Sequence, residues 1–485
     1  MRSVRPILFF CLTVAATLAS AQVNFNYSFF QTSGQGLGAV SADFNRDGYP
    51  DAAVGTNNAI EVYFSTGNGS SFGAPQSYSL PNAPNDFAAV DVNNDGWPDI
   101  VVLPIDQPTQ VQVLINNGDG TFHTGTPIKL AAPAGNYIAA GDVNNDGKVD
   151  LVIEEQVSNV VSATANSPRI NVLVVYKGNG DGSFTAGQVI PLPGQYASRP
   201  VLYDLNQDGN LDLAITANNS TLIYFGKGDG SFGAPTTIKE SDSNGDYSVA
   251  VADFNNDSYP DLAIMTSQFC GSACGVNTVY IYLNDGKGNF TLKSSAVINY
   301  VSAGDYVTAA DINNDQNMDV VVVNSANFGG GIAYALGNGD GTLGTQGEFS
   351  GADANPSGLA VRDINLDSRP DVLIPSYMGD GFNYGINNSA YTNCAPPDSS
   401  NLQAKICVPT NNGNVTNPIT VRGAGNSPIG VKRLEIWVDG KKVNQELNDQ
   451  IAKQITLSSG PHMLTLVSVD QYLGTASVTE TINVQ

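Results

Sequence analysis

Asp43-Phe44-Asn45-Arg46-Asp47-Gly48-Tyr49-Pro50-Asp51 is a nine-residue stretch that this chain writes seven times. The other copies begin at Asp91, Asp142, Asp204, Asp253, Asp311 and Asp363. Every copy has Asp at positions one, five and nine and Asn at position three. Oxygen-bearing side chains at alternating positions of a tight loop are what a hard cation such as calcium requires. Copies spaced by about fifty residues mean a repeat architecture in which each unit carries its own loop.

Position seven varies in side chain, as expected if only its backbone carbonyl binds. The candidate ligand sets, including that carbonyl, are Asp43, Asn45, Asp47, Tyr49 and Asp51; Asp91, Asn93, Asp95, Trp97 and Asp99; Asp142, Asn144, Asp146, Lys148 and Asp150; Asp204, Asn206, Asp208, Asn210 and Asp212; Asp253, Asn255, Asp257, Tyr259 and Asp261; Asp311, Asn313, Asp315, Asn317 and Asp319; and Asp363, Asn365, Asp367, Arg369 and Asp371. Pro50, Pro98, Pro260 and Pro370 at position eight favour extended geometry in the residue before them, which helps aim that carbonyl. Position six calls for a left-handed residue and is Gly48, Gly96, Gly147 and Gly209 in the first four loops. Ser258, Gln316 and Ser368 depart from this, so the last three loops are expected to bind more weakly or to carry backbone strain.

An EF-hand would need a bidentate Glu at position twelve and flanking helices. Position twelve is instead Val54, Val102, Ile153, Ile215, Ile264, Val322 or Ile374, an apolar residue within a strand pattern each time. Asp and Asn also make ordinary turns. One copy would not distinguish a turn from a metal loop; the ninth Asp repeated seven times favours the metal.

A second element follows the first six loops. It is a Gly-Asp/Asn-Gly type of turn ending in Phe or Leu, as in Gly118-Asp119-Gly120-Thr121-Phe122 and Gly180-Asp181-Gly182-Ser183-Phe184. Runs rich in β-branched and aromatic residues flank both elements, and no segment keeps a helical period. One repeat reads as four strands, with the Asp loop between the first two and the Gly-rich turn between the last two. Seven such units predict an all-β fold, a seven-bladed β-propeller over residues 22–391. The last unit lacks an outer strand, and residues 24–31 read as a strand without a unit of its own. They are expected to complete the seventh blade. Beyond Cys394 the loops stop. Short alternating strands near residues 418–422, 434–438, 454–457, 463–469 and 476–484 predict a small immunoglobulin-like β-sandwich over 395–485.

Residues 1–21 read as an export signal, with Arg2 and Arg5, an apolar run from Ile7 to Ala19, and Ala19-Ser20-Ala21 as the cleavage site. No later run is long and apolar enough to span a bilayer. The expected setting is secreted, extracellular or on the cell surface, with no integral membrane segment, as a monomer. Such a compartment permits disulfides, and Cys270–Cys274 and Cys394–Cys407 are the expected pairs. The formal net charge is −24, and the loop aspartates make up nearly half of the 45 acidic residues. So acidic a chain is a poor partner for nucleic acid.

The frame Asp-x-Asn-x-Asp-Gly-x-x-Asp followed by Gly-Asp-Gly-x-Phe resembles the FG-GAP/VCBS-type repeat over about residues 24–391, similar to the integrin α-chain propeller and certain fungal lectins. The resemblance implies a propeller with structural Ca2+, up to seven ions, held at loop positions one, three, five, seven and nine. The tail looks like a bacterial immunoglobulin-like domain. The family includes adhesion proteins, lectins and some polysaccharide-active enzymes, so membership alone does not fix the activity.

The chain has only two histidines, His123 and His462, and no Ser-His-Asp set, metalloprotease motif or nucleotide-binding loop. The expected function is therefore a non-catalytic, calcium-stabilised binding or adhesion module for a glycan or an extracellular surface protein. The rival is a polysaccharide-active enzyme, a lyase working with Lys, Arg or Tyr or a hydrolase using paired carboxylates such as Asp242 and Asp246. Variable loops on the side away from the metal loops, at 156–169, 268–277 and 325–331, are where a ligand is expected. Phe87, Tyr137, Tyr247 and Tyr306 lie near that rim, either stacking on sugar or packing between blades. Asp86, Asp242, Asp246 and Asp305 lie close by, either bonding sugar hydroxyls or sitting in solvated turns.

Overall fold

The computed structural model describes residues 23–484 apart from 67–68, 106–108, 159–168, 195–196, 240–245, 270–274, 300–305, 325–330, 350–355, 368, 378, 390–400, 410–412, 416–418, 428–430, 447–449 and 471–473. The expected export signal and the Cys270–Cys274 pair lie outside them. So do Cys394, Asp242 and Asp305, and the greater part of the expected ligand loops.

All the described secondary structure is β. Between Phe25 and Asn387 the strands form seven antiparallel sheets, six of four strands and one of five. The first is Gly38–Ala42, Asp51–Gly55, Ala59–Tyr63 and Gln76–Ser79, in chain order across the sheet. The second gains a strand because its outer edge is split into Phe122–Thr124 and Ile128–Lys129. Each sheet's second strand begins on the ninth Asp of its loop: Asp51, Asp99, Asp150, Asp212, Asp261, Asp319 and Asp371. The position-twelve residues, three further along, are all 0% exposed.

The core lies between sheets, not within them. Val101 and Leu103 pack against Leu151 and Ile153 of the third sheet. Ile100 and Val102, on the other face of the same strand, pack against Ala53 and Val62 of the first. A strand covered on both faces needs apolar residues at every position, which is why these runs do not alternate. Similar clusters join the third sheet to the fourth, the fourth to the fifth, the fifth to the sixth and the sixth to the seventh. One more joins the seventh to the first through Ala52, Val54, Leu373 and Phe382. The sheets therefore close into a ring, a β-propeller.

The seventh sheet holds Ala360–Arg362, Asp371–Ser376 and Gly381–Asn387, and its outer strand is Phe25–Gln31. That pairing runs from Phe25 opposite Asn387 to Gln31 opposite Gly381. The Asn24 N–H donates to Ser389 Oγ at 3.0 Å, and the Asn388 N–H donates to the Asn24 carbonyl at 2.7 Å. Phe30 stacks on Phe382 with ring centroids 5.2 Å apart.

The C-terminal part forms a three-stranded and a five-stranded sheet around one core that includes Val421, Leu434, Ile451 and Leu466. It contains Gln403–Val408, Gly413–Val415 and Lys441–Glu446 besides the strands expected from sequence. Cys407 is disulfide-bonded.

Removing residues 24–31 is expected to expose the Gly381–Asn387 edge and the Phe382 ring to solvent. An unpaired apolar edge templates association, so size-exclusion chromatography should show oligomers where the full chain gives one smaller species.

Candidate functional site

Each Asp loop is wound by its own side chains. Asp43 Oδ1 accepts the Asp47 N–H at 3.1 Å and its Oδ2 accepts the Gly48 N–H at 3.0 Å. Asn45 Oδ1 also accepts the Asp47 N–H, and Asp47 Oδ1 accepts the Tyr49 N–H, both at 2.9 Å. The bond from position six back to the first Asp recurs at Gly96, Gly147, Gly209, Ser258 and Gln316. Two backbone positions are left-handed. Position six is so in every described copy, including Ser258 at φ 78° and Gln316 at φ 70°, where a side chain makes that geometry costly. Ser368 lies outside the described residues. Position four is left-handed in all seven: Arg46, Asn94, Asn145, Gln207, Asn256, Asn314 and Leu366. Asn at four of these positions was the available sign.

The ninth Asp has a second task besides any ion. Asp51 Oδ2 accepts the Phe44 N–H at 2.9 Å and Oδ1 accepts the Ser65 N–H at 2.8 Å. One bond holds the loop and the other holds the end of the third strand. The same two bonds are made by Asp99 to Val92 and Asn116, and by Asp150 to Val143 and Gly178. Asp212, Asp261, Asp319 and Asp371 repeat them. All seven are 0% exposed. Burial pushes the Asp51 carboxyl up to about 8 against the pull of its two N–H bonds, and Asp47 and Asp43 add repulsion. Burial likewise raises Asp99 to about 6, Asp261 to about 7 and Asp371 to about 7, with neighbouring loop aspartates contributing.

As they stand, no three His, Cys, Asp or Glu side chains among the described residues enclose a point where an ion would sit. The loop carboxylates are turned onto the loop's own N–H groups. A carboxylate offers about four acceptor positions, so these bonds leave lone pairs for an ion. Asp91 Oδ1 is buried with no hydrogen-bond donor, the state of a ligand oxygen. Crowded, desolvated carboxylates with spare lone pairs are a donor set that fits a hard divalent cation.

The loops also tie neighbouring sheets together. The carbonyl of loop position two accepts a donor from the next sheet's Gly-rich turn or the Asn just before it. Phe44 O takes Asn116 Nδ2 at 2.8 Å, Val92 O takes the Gly182 N–H at 3.0 Å, and Val143 O takes the Gly230 N–H at 3.1 Å. Leu205, Phe254 and Ile312 repeat this with Asn284, Gly341 and Asn387. In the first sheet's turn, Gly69 lies against Ile364 O, where a Cβ would come within 2.4 Å of that oxygen. Only glycine lets the ring close there.

At the opposite end, the starts of all seven inner strands surround one cavity of about 830 Å³. Asp86 is buried in its wall and accepts the Ile138 N–H at 3.0 Å and Arg199 Nη2 at 2.6 Å. Burial raises the Asp86 carboxyl, and the Arg199 charge opposes that rise. The Arg199 side chain is 55% exposed and lies over the Tyr137 ring, 5.9 Å from its centroid. Tyr306, whose hydroxyl donates to Leu359 O at 3.1 Å, and the half-exposed Tyr377 complete an aromatic lining. Of the candidate rim residues, Tyr137, Tyr306 and Asp86 reach this cavity. Phe87 also borders it but is 4% exposed and packed between sheets against Gly38 and Gly55. Asp246 and Tyr247 lie in the strand Asp246–Ala252. His123 and His462 pair with Asn117 and Asp439, and neither borders the cavity. Arg199 and Tyr377 gave no sequence signal, because nothing local marks an isolated Arg or Tyr as facing the axis.

A family model described as FG-GAP-like repeat matches residues 43–102, 91–153, 158–215, 204–264, 269–322 and 311–374. The chain belongs to the FG-GAP-like repeat proteins. Each matched FG-GAP segment ends on the position-twelve residue of a loop, so the family unit and the loop share one register. No curated protein matches the chain significantly. Among solved structures, an Agrocybe aegerita lectin described as recognising non-reducing terminal N-acetylglucosamine is similar at 16% identity. The match covers 65% of this chain and 80% of that one, with a TM-score of 0.41. A Photorhabdus luminescens Tc holotoxin pore is similar at 13% identity over 92% of this chain and 20% of that one, with a TM-score of 0.39. Among the described residues no helix is long and apolar enough to cross a membrane.

Replacing Asp99 by Ala leaves two buried N–H groups unpaired, each worth about 1–3 kcal/mol. Denaturant unfolding in chelator should show a loss of roughly 2–6 kcal/mol. Asp95→Ala, at an exposed loop position, should stay within about 1 kcal/mol under the same conditions.

Proposed function

We propose that this FG-GAP protein is an exported, non-catalytic binding module, stiffened by calcium in its Asp loops, whose ligand is a glycan. The observation that carries the reading is the convergence of all seven inner strands on one cavity walled by Tyr137, Tyr306, Tyr377 and the Asp86–Arg199 pair. Sugars present apolar C–H faces and a rim of hydroxyls. Aromatic rings take the faces, and the exposed Arg199 guanidinium, its charge neutralised by the buried Asp86, takes the hydroxyls without adding net charge. The cavity opens on the end away from the Asp loops, so in this reading the ions act on the scaffold and not on the ligand. Calcium is supported by the recurring oxygen donor set and by the buried, unbonded Asp91 Oδ1. Export and an immunoglobulin-like tail rest on the sequence pattern.

At free calcium tenfold above its dissociation constant, each site would contribute about 1.4 kcal/mol. Chelation should therefore lower the melting temperature by many degrees, and calcium but not magnesium should restore it. A melting curve indifferent to chelator would sink the calcium reading.

A glycan array, with turnover assays on polysaccharides beside it, tests the ligand. Saturable binding without product is the expected result. Tyr377→Ala, a half-exposed position, should weaken that binding about tenfold with an unchanged melting temperature. Release of product, or binding indifferent to Tyr377 and Tyr137, would overturn the assignment.

A further inference from the structure

Among the described residues, the fifth Asp loop carries contacts from the C-terminal part of the chain. Lys453, in the C-terminal strand Gln450–Ile455, is 2% exposed, and its ammonium donates to Asp253 Oδ2. Asp253 is position one of that loop. Beside it, Ser258 Oγ lies 2.7 Å from Asn444 Nδ2 and 3.1 Å from Asn444 Oδ1. Asn444 belongs to the strand Lys441–Glu446 of the other C-terminal sheet. Both sheets of the C-terminal domain therefore touch one loop of the ring.

Ser258 is one of the departures from glycine at position six. Its backbone is left-handed at φ 78°, a conformation strained for any residue with a Cβ. At the same position in the third and fourth loops, Gly147 and Gly209 have nothing within 4 Å of where a Cβ would stand. Among the described residues, Ser258 accepts that strain at a loop where its hydroxyl has a partner in the tail. A buried ammonium needs an anion, and Asp253 is that anion. The same carboxylate is a candidate calcium ligand.

We propose that the fifth loop is the docking seat of the C-terminal domain, with the Lys453 ammonium standing where the loop's calcium ion would bind. Calcium and docking then exclude one another at Asp253, and the interdomain contact is a calcium-sensitive latch. The competition, though not the seat itself, rests on the calcium reading above. An ammonium is one charge with three donors, whereas calcium gathers six to eight oxygens. The ion therefore wins once its concentration is high enough to repay the lost contact.

The test uses the full chain, small-angle scattering and calcium titration by calorimetry. In chelator the wild type should be compact, and millimolar calcium should extend it. Lys453→Gln should be extended at both extremes and should bind calcium at one site at least tenfold more tightly than wild type. Ser258→Gly keeps Lys453 and relieves the loop, so it should lower the calcium concentration at which the chain extends. A Lys453→Gln protein as compact in chelator as wild type would overturn the docking seat. A calcium titration superimposable on wild type would overturn the competition. Failure of the wild type to take up calcium would overturn the calcium reading and the competition together, while scattering in chelator would still decide the seat.

Discussion

A buried carboxylate holding two backbone N–H groups at once is the interaction on which this propeller depends. The ninth Asp sits at the first residue of the second strand and is sealed from solvent. From there it fixes the loop before it and the strand end beside it. Because the loop is fixed, its position-two carbonyl is held out toward the next sheet, where a glycine N–H or an asparagine amide meets it. Geometry within one repeat thereby becomes spacing between repeats. The apolar clusters between sheets supply the bulk of the stabilisation, but they carry little directional information. The carboxylates' bonds are directional, and through the position-two carbonyls they tie each loop to the next sheet.

The same arrangement concentrates negative charge. Asp43, Asp47 and Asp51 share one corner, and burial with mutual repulsion holds Asp51 far above the ordinary carboxylate range. A protein that needs a buried Asp for backbone geometry and places two more beside it has built an electrostatic demand for a cation. At the fifth loop the chain supplies one of its own, Lys453. The ring's two ends are thus divided in kind: one is acidic and structural, and the other is walled by aromatic rings and a neutralised charge pair.

The all-β propeller was legible because its signals are local and repeated. The ninth Asp marks where each second strand starts, and the apolar position-twelve residues mark buried interiors. Less legible was anything set by distance in sequence. Position four shows its left-handed backbone at Asn94 or Asn145, but Arg46 and Leu366 hide it. The double duty of the ninth Asp could not be read, because one of its partners, such as Ser65 or Asn116, lies well over ten residues away. Arg199 meets Asp86 across more than a hundred residues, and Lys453 meets Asp253 across two hundred. Residue type suggests ion-pairing capacity, but only the closed ring says with whom.

Closing the seventh sheet with Phe25–Gln31 has a consequence for biogenesis. The Asn24 N–H and its acceptor on Ser389 are 365 residues apart. At ribosomal speeds of about 5–20 residues per second, the first strand waits tens of seconds for its partner to exist. Throughout that interval the strand Phe25–Gln31 stays unmatched while the intervening sheets assemble. Ring closure is thus the propeller's last step, and its seam joins the first strand of the propeller to nearly its last.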